Sequence, residues 1–112
     1  GEATISTDGQ AELTQLATAL KQIAGEIPSD INWVLQIDGF TDKRPISTPQ
    51  FPSNWELSAD RAIAVAKFLI SQGIDPARLV PAGFGENRPI DPGNTPEAYA
   101  KNRRIEFRLT DG

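Results

Sequence analysis

The chain has 112 residues, of which 38% are hydrophobic and 23% charged, and its formal net charge is -4. This length predicts a single domain over residues 1–112. Folding should bury roughly 65% of the unfolded chain's surface, enough for a hydrophobic core that needs no disulfide or metal ion to stabilise it. The acidic balance argues against nucleic acid as a partner, because such proteins normally present a basic face to phosphates. Cysteine and histidine are absent, which excludes disulfides, thiolate nucleophiles and the commonest zinc ligand.

No apolar run reaches the roughly eighteen residues that a membrane-spanning helix needs. The sequence begins at Gly1 without an initiator methionine, so we expect a fragment of a longer protein whose membrane anchor lies outside it. From these residues we expect no metal, no cofactor and no catalytic residue.

The first long element predicted is an amphipathic helix. The run from Thr7 to Gln10 fits a capping box, and Pro28 ends the pattern. Between them apolar residues recur with helical spacing: Leu13, Leu16, Ala17, Leu20, Ile23, Ala24 and Ile27. A strand is predicted over Ile31–Phe40, and the proline-containing residues 41–53 are predicted to form a shaped loop.

A second capping box at Ser53–Glu56 opens a helix that Gly73 should end. The segment Leu79–Ala82 is predicted to form a short strand, and its proline indicates a sheet edge or a strand end. Thr95 is expected to cap a short helix reaching Asn102, and the alternation over residues 105–109 closes the chain as a strand.

These elements predict an α/β (α+β) domain of two layers. A short strand before the first helix would complete a mixed sheet of about four strands, with both long helices packed on one face. The short third helix stands apart from that layer.

Four motifs resemble the OmpA-like carboxy-terminal domain that binds peptidoglycan. They are Gly39–Asp42, the pattern from Asn54 to Ala62, Ala82–Gly85 and Asn102–Phe107, in the order and spacing of that family. The run Phe51–Ser58 and the longer loop before it resemble the branch of flagellar-motor stator proteins of the MotB type.

The resemblance implies that Asp42 and Arg61 hold the free amino-acid end of diaminopimelate in the peptide stem. Thr41 and Asn54 would be neighbouring hydrogen-bonding groups. Asn102, Arg103 and Arg104 could form a basic rim for the ligand's carboxylates, and of these Arg104 is the candidate site residue. The chemistry fits, because an ammonium and a carboxylate on one carbon need an acceptor-only group on one side and a planar donor fork on the other.

The resemblance also implies a peptidoglycan partner, a place in the periplasm of a Gram-negative envelope, membrane contact only through a missing anchor, and a possible homodimer. Two departures stand out. Phe40 occupies a position where the family usually has histidine, and the family's first strand normally begins before Gly1.

Several residues have a plainer interpretation. Asp42 could cap a loop, and Arg104 could pair with Glu106 or Asp38 on the surface. Trp33 and Trp55 could stack on sugar rings, although tryptophan in a strand or a first helical turn more often belongs to the core or to a hydrophobic staple.

Two other functional classes stay open at this point. A peptidoglycan hydrolase would use Asp38 with Asp42 or Glu56 as its two carboxylates, but no nucleophile elbow or zinc ligand set accompanies them. The other class is an interaction scaffold that has kept the fold and lost the ligand, which Phe40 and the long loop suggest.

Overall fold

The computed structural model describes residues 5–111. In chain order the elements are α1 (Thr7–Glu26), β1 (Trp33–Phe40), α2 (Asn54–Ser71), β2 (Leu79–Gly85), α3 (Pro96–Asn102) and β3 (Arg104–Asp111). A single 3-10 turn, Pro76–Arg78, leads into β2. Within this part of the chain, no helix combines the length and the apolar character needed to cross a membrane.

The three strands form one mixed sheet in the order β2-β1-β3. β2 runs parallel to β1, and β3 runs antiparallel to it. The strand containing Pro81 lies at the edge of the sheet that residues 5–111 form, in agreement with the first of the two predicted positions. The strand expected at the amino end falls on residues 1–4, which lie outside the described residues, so the described sheet has one strand fewer than expected.

Both long helices pack on the same face of the sheet, as predicted. The core joins Leu35 and Ile37 of β1 to apolar residues of α1 and α2: Leu13, Ala17, Leu20, Ala62, Val65, Ala66 and Leu69. Because side chains alternate along a strand, the even-numbered residues of β1 point to the other face. No helix of the described chain covers that face, and we refer to it as the open face.

Two glycines let α2 approach the sheet closely. Gly39 and Gly83 are direct partners in the ladder between β1 and β2. A Cβ atom on Gly39 would lie 2.2 Å from the carbonyl oxygen of Ser58, and one on Gly83 would lie 2.6 Å from the amide nitrogen of Ala59. Backbone therefore meets backbone here, and this contact fixes where the first turns of α2 lie relative to the end of β1.

Three predicted boundaries were wrong by a few residues. Ser6, rather than Thr7, caps α1, and its hydroxyl accepts the amide N–H of Gly9 at 3.1 Å. β1 begins at Trp33 rather than Ile31, where its pairing with Asp111 starts. β2 continues to Gly85 instead of stopping at Ala82, because its glycines keep pairing with β1 beneath α2.

Candidate functional site

A cleft of about 630 Å³ opens where β1 ends and α2 begins. It is bounded by the start of the irregular segment 41–53, the first turns of α2 and the bend between α3 and β3. The lining residues are Thr41, Asp42, Arg44, Pro45, Ile46, Asn54, Leu57, Arg61 and Arg103. Four of the five sequence-predicted site residues thus line one cavity.

Asp42 is the only carboxylate among these lining residues, and two arginines already bind it. Arg44 donates from Nε to Oδ1 at 3.0 Å and from Nη2 to Oδ2 at 2.6 Å, and its backbone N–H donates to Oδ1 at 2.9 Å. Arg103 donates to Oδ2 at 2.8 Å. These bonds, those from Arg44 foremost, hold the pKa of Asp42 well below its ordinary range although burial acts in the opposite direction. Asp42 is therefore ionised at neutral pH.

The side chain of Asn54 links the start of α2 to the loop that follows β1. The Ser53 hydroxyl caps α2 by accepting the N–H of Trp55 at 3.2 Å, which confirms the predicted start of this helix. The side-chain amide of buried Asn54 then donates to the carbonyl of Arg44 at 3.1 Å and to Oε1 of Glu86 at 3.3 Å. Thr41 is also buried, and its hydroxyl donates to the backbone carbonyl of Asp42 at 3.0 Å. Both residues thus shape the loop that carries Asp42.

Arg61 lies half-buried on α2 and lines the same cleft. Its Nη1 donates to the carbonyl of Phe40 at 3.3 Å, and within residues 5–111 no carboxylate comes within ion-pairing distance of it. Burial lowers the pKa of Arg61 and the charge of Arg103 lowers it further, while Asp42 raises it. The guanidinium is consequently a poorly compensated cation, available to an anion that enters the cleft.

Arg104 does not line this cleft. Its guanidinium pairs with Glu106 and lies 3.8 Å over the ring of Phe40 on the open face, in line with the plainer interpretation of this residue. Arg103, one position earlier, contacts Asp42 instead. The alternation along β3 contained the signal, since Arg104 shares its parity with the polar residues Glu106 and Arg108 rather than with the core.

Phe40 is 5% exposed, and its ring stacks on Phe84 with a centroid distance of 5.1 Å and an interplanar angle of 10°. Together with Arg88 and Arg104, this pair occupies the open face, away from the cleft. The backbone of Phe40 still serves the cleft through its carbonyl, which Arg61 binds. The residue that replaces the family's usual histidine therefore acts on the cleft through its main chain.

The two tryptophans have different environments. Trp33 is 7% exposed and belongs to the core, whereas Trp55 is 54% exposed on the first turn of α2. Trp33 therefore belongs to the core, as the plainer interpretation expects, and Trp55 does not.

The carboxylates considered for hydrolysis are not brought together. Asp38 is buried on the open face, where Arg108 pairs with it at 3.0 Å, and Glu56 accepts the hydroxyl of Ser53 at 2.6 Å on the surface. Asp42 is in the cleft without either of them. Within the described chain no group of three or more carboxylates could hold a metal ion.

Comparison with known proteins identifies the family. A model described as "OmpA family" matches residues 1–103. The chain belongs to the OmpA family. The resemblance found in the four motifs is thereby confirmed.

Curated relatives of this OmpA-family chain include the uncharacterised protein YtxE of Bacillus subtilis, 38% identical over 96% of this chain and 41% of its own length. Motility protein B of Helicobacter pylori is 37% identical over 82% of this chain and 35% of its own length. The peptidoglycan-associated lipoprotein of Pseudomonas putida is 38% identical over 80% of this chain and 51% of its own length. The chain thus spans about half or less of each relative.

Solved structures agree with these relatives. The carboxy-terminal domain of H. pylori MotB (residues 125–256) superposes with a TM-score of 0.82 at 30% identity, covering 99% of this chain and 80% of that one. The peptidoglycan-associated lipoprotein of Burkholderia pseudomallei gives a TM-score of 0.79 at 27% identity, with 97% and 83% covered. The predicted two-layer fold class is therefore confirmed.

Proposed function

We propose that this domain binds peptidoglycan without cleaving it, and that it holds the amino-acid end of diaminopimelate in the peptide stem. The observation that carries the proposal is the presence, in one cleft, of the buried, ionised Asp42 and the poorly compensated guanidinium of Arg61. Relatives named peptidoglycan-associated lipoprotein support the choice of polymer.

The cleft offers complementary groups for a zwitterion. The ammonium of the ligand would bind Asp42, whose low pKa keeps it an acceptor throughout the neutral range. The carboxylate on the same carbon would bind Arg61 and Arg103, whose planar forks match it. Each charge-assisted bond contributes roughly 1.5 to 3 kcal/mol, so a single site binds modestly. A wall polymer repeats its ligand many times, and several tethered domains then hold it firmly.

The whole protein would fasten an envelope or motor component to the cell wall from the periplasm. Relatives of this chain include motility protein B, and one solved neighbour is described as the periplasmic domain of H. pylori MotB. A membrane anchor in the remainder of the protein and a homodimer are part of this proposal.

Asp42→Asn is expected to abolish most binding of the domain to purified sacculi in a co-sedimentation assay, with at least a tenfold loss of affinity. The amide keeps the shape of the side chain but removes the charge that an ammonium needs. Asp38→Asn is the matched control, because Asp38 is also buried and paired with an arginine but lies on the open face.

Free meso-diaminopimelate should compete for the parent domain in the same assay. Equal binding by the parent, Asp42→Asn and Asp38→Asn would show that the ligand binds elsewhere. Equal loss in both variants would point to a general effect of removing a buried charge, and would equally contradict the assignment of the cleft.

Hydrolysis is a weaker candidate, because a carboxylate mechanism needs a second acid at a set distance and one group with a raised pKa. Here the pKa of Asp42 is lowered, and Asp38 lines a different cavity. Release of soluble muropeptides from sacculi by the domain would contradict the binding-only proposal.

The scaffold alternative rested on Phe40 and on the long loop, and Phe40→His tests the first of these grounds. We expect this variant to lose about 1 to 2 kcal/mol of stability, because a smaller polar ring replaces the buried member of a stacked aromatic pair. Its affinity for sacculi should stay unchanged, since the ring lies outside the cleft. Thermal melting and co-sedimentation measure the two effects. A gain in affinity without loss of stability would mean that this position does act on the ligand.

A further inference from the structure

The carboxylate that the proposed function assigns to the ligand's ammonium is already occupied in the free domain. Arg44 covers both oxygens of Asp42 with a two-bond fork, and Arg103 adds a third side-chain bond. A ligand cation therefore meets a carboxylate whose acceptor sites are filled, and it has to displace one of these guanidinium groups.

Arg44 is the arginine that a ligand can displace from Asp42. Its side chain is 56% exposed, against 7% for the side chain of Asp42, and it rests with its guanidinium 4.8 Å over the ring of Tyr99. Its backbone is held independently, because its N–H donates to Oδ1 of Asp42 and its carbonyl accepts from Asn54. The guanidinium can swing into solvent while the loop keeps its shape.

The balance of charge decides which ligands can drive this exchange. The lining of the cleft carries three guanidinium groups, on Arg44, Arg61 and Arg103, and one carboxylate. An amine without a neighbouring anion would break the Arg44 fork and add a positive charge to a cleft already rich in them. An amino-acid end brings a carboxylate on the same carbon, and that anion compensates Arg61 and Arg103 as the ammonium takes the place of Arg44.

We propose that Arg44 is a specificity-determining residue, whose guanidinium competes with the ligand's cation for Asp42 so that the cleft accepts an α-amino-acid end and rejects a simple amine. This inference rests on the proposed function. It distinguishes stems that end in diaminopimelate, with ammonium and carboxylate on one carbon, from stems that end in the side-chain amine of lysine. Displacing Arg44 costs both kinds of ligand the same, but only the simple amine also adds a net positive charge to a cleft that already has three guanidinium groups and one carboxylate, and this difference sets the preference.

Two soluble probes test this role: meso-diaminopimelate and Nα-acetyl-lysine amide, which has the ammonium alone. Their affinities for the parent domain, Arg44→Gln and Arg88→Gln would be measured by NMR titration. Arg88→Gln is the matched control, since it makes the same change of charge on the open face. We expect Arg44→Gln to improve binding of the acetyl-lysine amide and to reduce the preference for diaminopimelate by about fivefold, the effect of removing one competing, partly exposed ion pair. Arg44→Lys, which has no fork, should give an intermediate preference.

Arg44→Gln should remain folded, because Arg103 still pairs with Asp42, and circular dichroism checks this. A preference that stays unchanged in Arg44→Gln would overturn the inference alone. So would an equal loss of both probes, since it would make Arg44 a direct ligand-binding group. Failure of the parent domain to bind diaminopimelate at all, with no difference between the parent and Asp42→Asn on sacculi, would overturn the proposed function and this inference with it.

Discussion

Gly39→Ala should lower the free energy of unfolding by about 3 kcal/mol, a large effect for one methyl group. The new Cβ would fall 2.2 Å from the carbonyl oxygen of Ser58, which is backbone in a regular helix and has no rotamer with which to move aside. The helix would have to shift away from the sheet, and the core contacts of Ala62 and Leu69 would open with it. Urea unfolding of the parent and the variant measures the change.

Gly25→Ala is the matched control for Gly39→Ala. Gly25 lies in α1, and a Cβ atom there would meet nothing within 4 Å. Alanine favours helix over glycine by up to about 1 kcal/mol, so this variant should be as stable as the parent or more so. If Gly39→Ala matched it in stability, the close contact of α2 with the sheet would be refuted.

The Gly39 contact also bears on binding. Any Gly39→Ala protein that does fold should have α2 displaced outward, which carries Arg61 away from Asp42. We therefore expect weaker binding to sacculi than the remaining folded fraction alone would explain.

Arg61→Met should abolish binding and at the same time stabilise the domain by about 1 kcal/mol. The folded state lowers the pKa of Arg61, chiefly through burial, so folding disfavours the charged form of this base. Arginine is charged at neutral pH in both the folded and the unfolded chain. The free-energy cost of burying the charge of Arg61 therefore lowers the stability of the domain at every pH below the lowered pKa. Methionine keeps much of the apolar stem and removes the charge. Chemical unfolding and co-sedimentation with sacculi measure the two effects.

Arg78→Met serves as the contrasting variant. Arg78 donates to the carbonyl of Trp33 at 2.9 Å and lies 4.8 Å over its ring, outside the cleft, so its loss should destabilise the domain and leave binding intact. An Arg61→Met protein that was destabilised and still bound sacculi would contradict both the electrostatics of the cleft and the role given to this arginine.

The sequence was informative at several places where a local rule decides the outcome. The helical spacing from Leu13 to Leu20, the cap at Ser53 and the proline of the edge strand each depend on neighbours in the chain, and the structure confirms all of them. Two of the three wrong boundaries, the start of β1 and the end of β2, depend on partners distant in sequence, whereas the cap of α1 was wrong by one residue although its hydrogen bond is local. β2 reaches Gly85 because its last residues pair with β1. The glycines of this stretch had suggested a loop.

The same distinction applies to the candidate site. The motifs correctly predicted that Thr41, Asp42, Asn54 and Arg61 lie in one cleft. Of the basic rim they favoured Arg104 as the site residue, whereas Arg103 is the one that contacts Asp42. Arg44 was not predicted at all. It sits in a segment without periodicity, so no pattern indicates the direction of its side chain, and its pairing with Asp42 follows only from the course of the loop.

The cleft draws its charged groups from segments far apart along the chain: the loop after β1, the middle of α2 and the bend before β3. Asp42 and Arg103 are separated by 61 positions, and their ion pair already closes this long stretch of chain. A bound zwitterion that bridges Asp42 to Arg61 and Arg103 would act as a second, removable clasp over the same stretch. Binding to the wall would then stabilise the folded domain, and the domain would resist unfolding under force most strongly while it is attached to the wall.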